Sequence, residues 1–311
     1  MKGRQASASD PTPDEPSDAP PSARPLGAAA ALYLVATPIG NLEDITLRAL
    51  RVLKDADLIA CEDTRQTQKL LNHYGILARV TSYHEHNEFA RAAELVKELE
   101  NGRRIALVTD AGMPGISDPG FRLISLAIEH HIPVTPIPGP SAFLTGLAAS
   151  GMPVEPFRFH GFLPAKRGQR RQILETIQSS PHTEIFYEAP HRLKDSLEDI
   201  VEVLGGERKI VVARELTKIH EEFIRGPAAE VLKTLIAREN IRGEITLLIG
   251  KYETGQKISF AVPAVTVRLR VEQIMEEERL DEKAALKKVA KERGISKSEA
   301  YREFQRTKSQ G

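Results

Sequence analysis

Five short clusters of polar residues could perform acid–base chemistry. Each mixes carboxylates with arginine, histidine or lysine, and such side chains can move protons or stabilise developing charge. The clusters lie at residues 37–46 (TPIGNLEDIT), 61–65 (CEDTR), 83–88 (YHEHNE), 186–192 (FYEAPHR) and 213–218 (ARELTK). Any single cluster is better explained as a helix cap with a solvated salt bridge, and Asp63 and Glu188 both stand where a cap would be. Five clusters at predicted strand ends favour one shared site.

Two loops rich in glycine and proline indicate what that site holds. They span residues 109–120 (TDAGMPGISDPG) and 136–142 (PIPGPSA), and each follows an apolar run typical of a buried strand. Glycine lets the backbone approach a ligand closely, and proline stiffens the loop. Because ligands of open α/β sheets bind beyond the carboxyl ends of the strands, these loops predict a cleft for a small molecule.

Several familiar catalytic motifs are absent from the sequence. It contains no G-x-x-x-x-G-K-[ST], G-x-G-x-x-G, H-E-x-x-H or G-x-S-x-G pattern, so nucleotide P-loops, dinucleotide folds, zinc proteases and serine hydrolases have no support. His84 and His86 flank Glu85, but three residues on a predicted loop without a further ligand favour a polar cleft rim over a metal site. We therefore expect no bound metal.

The composition narrows the class of protein further. Among 311 residues, 43 lysines and arginines balance 43 aspartates and glutamates, so RNA binding would need local basic patches. The single cysteine, Cys61, excludes an intrachain disulfide and suits a reducing cytoplasm. No apolar run approaches the roughly 20 residues of a membrane helix. Residues 1–29, rich in proline, serine, aspartate and alanine, predict a disordered tail rather than a signal peptide.

The elements that would position the clusters alternate between strand and helix. This rhythm predicts an α/β fold whose first sheet is mainly parallel and covered on both faces. The pattern breaks near Met152, and adjacent strands beyond that point predict a second, mixed sheet. The predicted organisation is a tail at 1–29, an N-terminal α/β domain at 30–152, a second α/β domain at 153–252, a linker at 253–267 and a small helical domain at 268–311.

The charged C-terminal segment predicts a pair of helices. Residues 281–306 are typical of a helix, a turn at Gly294 and a second helix that Ser296 caps, with Glu299 as the reciprocal partner of a capping box. This outline fits a helix-turn-helix, and it fits a plain helical hairpin used for dimer contacts equally well.

The ordered set of motifs resembles one branch of the tetrapyrrole methylase-like enzymes, the branch that methylates ribosomal RNA. The motifs are LYLVATPIGNLEDIT, CEDTR, HNE, TDAGMPGISDPG, PIPGPSA, GFLPAK, FYEAPHR and ARELTK, spread over about residues 31–250, and the helical tail resembles that branch's C-terminal helix-turn-helix domain. The resemblance implies a two-domain tetrapyrrole methylase-like fold that holds S-adenosylmethionine in the cleft between its α/β domains. It also implies a homodimer, with no membrane or DNA partner, that 2′-O-methylates a cytidine ribose in the decoding region of the 16S rRNA of the small ribosomal subunit.

The resemblance also assigns cofactor-binding residues in both domains. They are Pro38, Asp110, Gly112, Met113, Ile116, Ser141, Ala142, Ala189 and Arg214. One position departs from the family pattern, because Met113 stands where these proteins usually carry threonine. A backbone contact to the cofactor would survive this change, whereas a hydroxyl contact would be lost.

Methylation of a ribose hydroxyl raises the question of a base, because that hydroxyl is a poor nucleophile near neutral pH. The base candidates are Asp63, His86 and Glu188, of which we favour Glu188 and Asp63. Arg65, Arg192 and Lys218 could orient phosphate or stabilise charge. Pure positioning of the reactants without a base is the alternative.

Two groups of cations could contact RNA phosphates. One lies beside the predicted domain junction and comprises Lys166, Arg167, Arg170 and Arg171; the other, in the tail, comprises Lys287, Lys288, Lys291, Arg293 and Lys297. Either group could instead be a solvated helix face. Two rival functions also stay open, namely a corrin-precursor C-methyltransferase on the same fold and a non-catalytic RNA-binding protein of ribosome assembly.

Overall fold

The computed structural model describes residues 30–253, 267–292 and 295–306. The predicted tail at 1–29, the linker residues 254–266, and Arg293 and Gly294 of the predicted turn lie outside this part of the chain. None of the described helices has the length and apolar character needed to cross a bilayer.

The first sheet has five parallel strands, as the βαβ rhythm predicts. Its strands are β1 Ala31–Val35, β2 Leu58–Cys61, β3 Val80–Ser82, β4 Arg104–Leu107 and β5 Val134–Ile137, in the spatial order β3-β2-β4-β1-β5. The central register pairs Leu32 of β1 with Ile105 on one side and Val134 on the other. Strands β2 and β4 are short apolar runs because both of their faces are buried.

Four helices cover the two faces of this sheet. They are α1 Leu47–Asp55, α2 Thr64–His73, α3 Glu88–Glu100 and α4 Phe121–Glu129. Helices α1 and α2 bury Val52, Leu53 and Leu71 on one face, and α3 and α4 bury Leu95 and Leu123 on the other. Every β-to-α turn therefore lies at the same edge of the sheet, where the predicted polar clusters follow the strands.

The second sheet is mixed. Its strands are β6 Phe157–Phe162, β7 Thr183–Glu188, β8 Lys209–Arg214, β9 Glu222–Pro227 and β10 Ile245–Ile249, in the spatial order β6-β7-β10-β8-β9. Only β6 and β7 pair in parallel; the other neighbouring strands are antiparallel. Its outer face is covered by α6 Arg167–Thr176, α7 Leu193–Leu204 and α8 Ala228–Ile236.

The other face of the second sheet packs against a helix that follows the first sheet in the chain. This helix, α5 Ala142–Ser150, places Leu147 among Ile185, Val211 and Leu248. Gly146 permits the close approach, because a Cβ at this position would lie 3.3 Å from Cγ2 of Thr246. Helix α5 therefore packs with the second sheet, although it precedes the division predicted at residue 152, and that division stays a prediction.

The described residues from 267 onward form three helices with their own small core. They are α9 Val267–Glu278, α10 Glu282–Glu292 and α11 Lys297–Arg306. The predicted capping box is confirmed, because the Ser296 amide donates to the Glu299 carboxylate at 3.0 Å and the Glu299 amide donates to Ser296 Oγ at 3.2 Å.

Candidate functional site

A cavity of about 410 Å³ lies where the carboxyl edge of the first sheet meets the second sheet. Its volume falls in the range of small-molecule and cofactor sites. Four stretches line most of it, namely residues 110–113, 116–118, 141–143 and 187–190, and the remaining wall comes from Ile39, Phe162, Leu216 and residues 243–246. Both glycine–proline loops predicted to form a cleft therefore border this cavity.

The loop after β4 is tied to the loop after β1 by its backbone. Thr37 and Gly112 exchange two backbone hydrogen bonds, at 2.9 and 3.0 Å, and Thr37 Oγ1 donates to the Thr109 carbonyl at 3.0 Å. Gly112 has φ of 87° and Gly115 has φ of 81°, in the left-handed region that glycine adopts without a steric cost. Glycine at these two positions therefore permits the conformation of the loop that borders the cavity.

The loop after β8 forms the opposite wall and is held in an unusual conformation. Glu215 (φ of 53°) and Thr217 (φ of 67°) are both left-handed although neither is glycine. Between them, Leu216 points into the cavity and packs in the same apolar cluster as Ile39 from the first sheet. Lys218 Nζ donates to Glu215 at 2.7 Å and to Glu244 at 3.1 Å, which anchors the loop.

The charged side chains that line the cavity are all acidic. They are Asp110, Asp118, Glu188 and Glu244, and the described lining contains no lysine, arginine or histidine. Carboxylates that border a cavity favour a cation and disfavour a phosphate there. S-adenosylmethionine fits this test, since it carries a sulfonium and an ammonium group, and the apolar side chains of Phe143, Leu216 and Ile245 offer a surface for its adenine ring.

Three carboxyl groups meet around the end of β4. Burial, and then the charge of Asp110, raises the pKa of Glu62; burial also raises the pKa of Asp110. Burial first, and the nearby Glu62 second, raise the pKa of Asp118 to about 6. Asp118 was not among the predicted site residues, although the loop that contains it was singled out by its glycines and prolines. No pattern in the sequence shows that its carboxyl group is half-buried near Glu62.

Most of the predicted cofactor residues line this cavity. They are Asp110, Gly112, Met113, Ile116, Ser141, Ala142 and Ala189. Pro38 does not line it, whereas its neighbour Ile39 does. Arg214 is also outside the lining, because its guanidinium donates to Glu222 at 3.1 Å and to the Arg242 carbonyl at 3.0 Å. Their roles toward a cofactor stay predictions.

The predicted catalytic residues do not come together in one place. Asp63 caps α2, where its Oδ1 accepts the Arg65 amide at 2.8 Å, and it pairs with the Arg65 guanidinium. His86 is exposed, and Asp63, Arg65, His86 and Lys218 are all absent from the cavity lining. Among the described residues, Glu188 is the one predicted catalytic residue that lines the cavity.

The predicted basic patch is largely an internal clamp between α6 and α7. Arg170 is buried and its Nε donates to Asp199 at 2.8 Å, while Arg167 donates to Asp199 and Glu202. Arg171 also pairs with Glu202. The prediction is therefore corrected at Arg170, whose guanidinium faces a buried carboxylate instead of solvent. Lys166 is exposed at the start of α6 and keeps the predicted role as a candidate contact to RNA.

A second cavity of about 590 Å³ lies at the other end of α5. Its lining mixes Glu207, Lys209 and Arg225, and the Arg225 guanidinium already donates to the carbonyls of Ser150 and Ala149. Among the described residues, no three His, Cys, Asp or Glu side chains stand together in a way that could hold a metal ion.

A family model and solved structures of known proteins match this chain. Residues 31–232 match the family described as Tetrapyrrole (Corrin/Porphyrin) Methylases. The solved structure of a diphthine synthase aligns with a TM-score of 0.58 at 13% identity, over 71% of this chain and 90% of that chain. A uroporphyrin-III-C-methyltransferase from Thermus thermophilus aligns with a TM-score of 0.51 at 21% identity, over 71% of this chain and 94% of that chain. At such identities the structures support the fold alone.

The curated relatives are much more similar in sequence. A protein from Halalkalibacterium halodurans named Ribosomal RNA small subunit methyltransferase I is 50% identical over 272 residues, which is 87% of this chain and 93% of the relative. A protein of the same name from Escherichia coli O157:H7 is 52% identical over 219 residues, or 70% of this chain and 77% of the relative. The chain therefore belongs to the tetrapyrrole methylase family and, within it, to the group of proteins named ribosomal RNA small subunit methyltransferase I.

Proposed function

We propose that this chain transfers the methyl group of S-adenosylmethionine to the 2′-hydroxyl of a cytidine in the 16S rRNA of the small ribosomal subunit. The observation that carries the cofactor assignment is the 410 Å³ cavity, whose charged lining is entirely acidic among the described residues. The relatives named Ribosomal RNA small subunit methyltransferase I supply the substrate class. The choice of a cytidine 2′-oxygen follows the resemblance of the TPIGN, EDTR and ARELTK motifs to the rRNA branch.

The bound cofactor would supply an electrophilic methyl group that reacts by in-line displacement. The protein's own contribution is to hold the acceptor hydroxyl in line with that methyl and to exclude water. Phosphates of the RNA would stay outside the cavity, because its carboxylates repel them. Exposed cations such as Lys166 beside the second sheet could contact the RNA backbone there.

The association state and the location of the protein are part of the same proposal. We expect a homodimer in the cytoplasm, which rests on the resemblance to the rRNA branch and on the single cysteine of the chain. Light scattering of the purified protein measures the association state directly.

The test is a methyl-transfer assay with three acceptors. Cofactor with a deuterated methyl group is incubated with small subunits that lack the modification, with free 16S rRNA, and with a corrin precursor. We expect labelled 2′-O-methylcytidine at one position of the rRNA, identified by mass spectrometry of digested nucleosides. Label on a carbon of the corrin would instead support the C-methyltransferase. RNA binding without any transfer would support a non-catalytic assembly protein.

A further inference from the structure

Two of the three groups first considered as the base are already committed to other partners, and the third, His86, is exposed and outside the cavity lining. Asp63 is held by the side-chain hydrogen bond from Arg65 and by its place at the cap of α2, which lower its pKa to about 2. A carboxylate with such a low pKa is a weak base. It also lies outside the cavity lining, so a hydroxyl in the cavity could not reach it directly.

Glu188 lines the cavity but has no free oxygen. Its Oε1 accepts the Ala189 amide at 2.7 Å and lies 2.8 Å from Nη2 of Arg192, while its Oε2 accepts the Ser196 hydroxyl at 2.5 Å. The side chain is buried, and these contacts fix the start of α7 against the end of β7. Glu188 is therefore a structural carboxylate at the edge of the cavity.

Asp118 lies on the cavity wall without such commitments. Among the described residues, no lysine, arginine or histidine raises or lowers its pKa as a partner, and the nearby Thr109 hydroxyl donates to Glu62 at 3.5 Å. The residue before it, Ser117, has φ of 61°, and its Oγ would lie 3.2 Å from a Cβ on Gly161 of β6. The turn that carries Asp118 is thus pressed against the second sheet, which fixes where the carboxylate stands.

The charged surroundings of Asp118 come from three strands. Glu62 follows β2, Asp110 follows β4, and Tyr187 of β7 lies near Asp118 from the second sheet. Asp110 also lines the cavity, but it is the more exposed of the two aspartates and its Oδ1 accepts the Asp63 amide at 3.3 Å. Burial and the neighbouring charges raise the pKa of Tyr187 to about 12, so its phenol stays neutral at physiological pH.

We propose that Asp118 is the general base that accepts the proton of the acceptor hydroxyl during methyl transfer. This inference rests on the proposed function. As the new carbon–oxygen bond forms, the carbon–sulfur bond breaks, sulfur keeps the electron pair, and the hydroxyl proton passes to a carboxylate oxygen of Asp118. A base whose pKa lies near the working pH combines a high deprotonated fraction with useful proton affinity, and Asp118 meets this requirement better than Asp63.

The experiment compares Asp118→Asn with the matched variant Asp63→Asn in single-turnover methyl transfer to small subunits. For Asp118→Asn we expect a loss of roughly 100- to 10,000-fold in rate, the usual contribution of a general base. Binding of the cofactor, measured by calorimetry, should weaken far less than the rate falls, because Asp110, Glu188 and Glu244 still line the cavity. The wild-type rate should rise as the pH passes through about 6 and then level off, and Asp118→Glu should recover part of the rate. Asp63→Asn should keep this pH profile.

Each other outcome contradicts a distinct part of the account. A wild-type protein that transfers no methyl to RNA contradicts the proposed function and the base together. An active wild type with an Asp118→Asn rate within about threefold contradicts only the base. Equal losses of rate and cofactor affinity would make Asp118 a cofactor-positioning residue, and a low-pH limb that disappears in Asp63→Asn would move the base to Asp63. The pH dependence of unfolding of the cofactor-free protein reports on Asp118 independently of activity.

Discussion

The side chain of Lys218 fills the space beside Gly40 that a Cβ would occupy. A Cβ built on Gly40 would lie 2.4 Å from Cγ and 2.7 Å from Cε of Lys218, and Gly40 has φ of 155°. Gly40 belongs to the loop after the first strand of the parallel sheet, and Lys218 follows a strand of the mixed sheet. The two sheets therefore interlock beside the cavity through a glycine and the aliphatic part of a lysine.

Substitution of Gly40 by alanine should disturb this interlock. The new Cβ would displace the stem of Lys218 and with it Leu216, which lines the cavity, so we expect weaker cofactor binding as well as a lower free energy of unfolding. Gly75→Ala is the matched control, because Gly75 also has positive φ but nothing lies within 4 Å of its Cβ position. The control should lose about 1–2 kcal/mol, the cost of a left-handed non-glycine residue, and keep its affinity.

Calorimetric titration and chemical denaturation of the two variants separate backbone strain from the interlock. If Gly40→Ala and Gly75→Ala lost equal stability and both kept cofactor affinity, the contact between Lys218 and Gly40 would have no role in shaping the cavity.

Substitution of Arg170 should lower the stability of the folded protein rather than weaken a direct contact to RNA. Its side chain and that of Asp199 are both buried, and removing one partner of a buried ion pair is strongly destabilising. We expect Arg170→Ala to lower the free energy of unfolding by roughly 3 kcal/mol, the low end for such a pair, because Arg167 still contacts Asp199. Arg171→Ala, at a more exposed pair, should cost less than about 1 kcal/mol.

Urea denaturation measures the loss of stability in Arg170→Ala and in Arg171→Ala. The RNA affinity of Lys166→Ala is the reference against which the RNA affinity of Arg170→Ala is compared. A loss of RNA affinity in Arg170→Ala without any loss of stability would mean that this arginine contacts RNA directly.

Asp118 should make the folded protein less stable at neutral pH. Its folded pKa of about 6 lies above the ordinary value of 3.8, so the folded state binds more protons than the unfolded state between these values. Stability therefore falls as the pH rises from about 4 to about 6 and stays reduced above that. We expect Asp118→Asn to raise the melting temperature at pH 7 to 8, with the advantage disappearing near pH 4. Equal melting temperatures across this range would mean that the Asp118 carboxyl group is not buried.

Glu222, unlike Asp118, should stabilise the folded protein at neutral pH. Hydrogen bonds from Arg238 first and Arg214 second lower its pKa to about 2. Its contribution to the free energy of unfolding is therefore complete above pH 4.5, the ordinary pKa of a glutamate, and is lost as the pH falls toward 2. We expect Glu222→Gln to cost roughly 1.5–3 kcal/mol at pH 7, as for hydrogen bonds to a charged group. Thermal unfolding from pH 2 to 7 tests this, and a constant difference between variant and wild type over that range would contradict it.

Local sequence patterns predicted most of the helices and strands, but not the contacts between residues that are far apart in the chain. The apolar run of β4, which precedes the loop at residues 109–120, and the Ser296–Glu299 capping box are encoded in neighbouring residues, and the structure has both where they were predicted. The pairing of Arg170 with Asp199 joins residues that are 29 positions apart, and no periodicity shows it. The partial burial of Asp118 near Glu62 depends in the same way on how the loops converge. The sequence therefore predicts the cavity but not the carboxyl group in it whose pKa is most strongly raised.

Hydrogen exchange with and without S-adenosylmethionine tests the central claim most directly, because it locates the cofactor without assuming a reaction. We predict slower exchange of backbone amides in the stretches that line the 410 Å³ cavity, residues 110–118, 141–143, 187–190 and 243–246. The second cavity, of 590 Å³ and bordered by residues 149–152 and 225–227, serves as an internal control and should be unchanged. Protection at the second cavity alone, or no protection at saturating cofactor, would contradict the account.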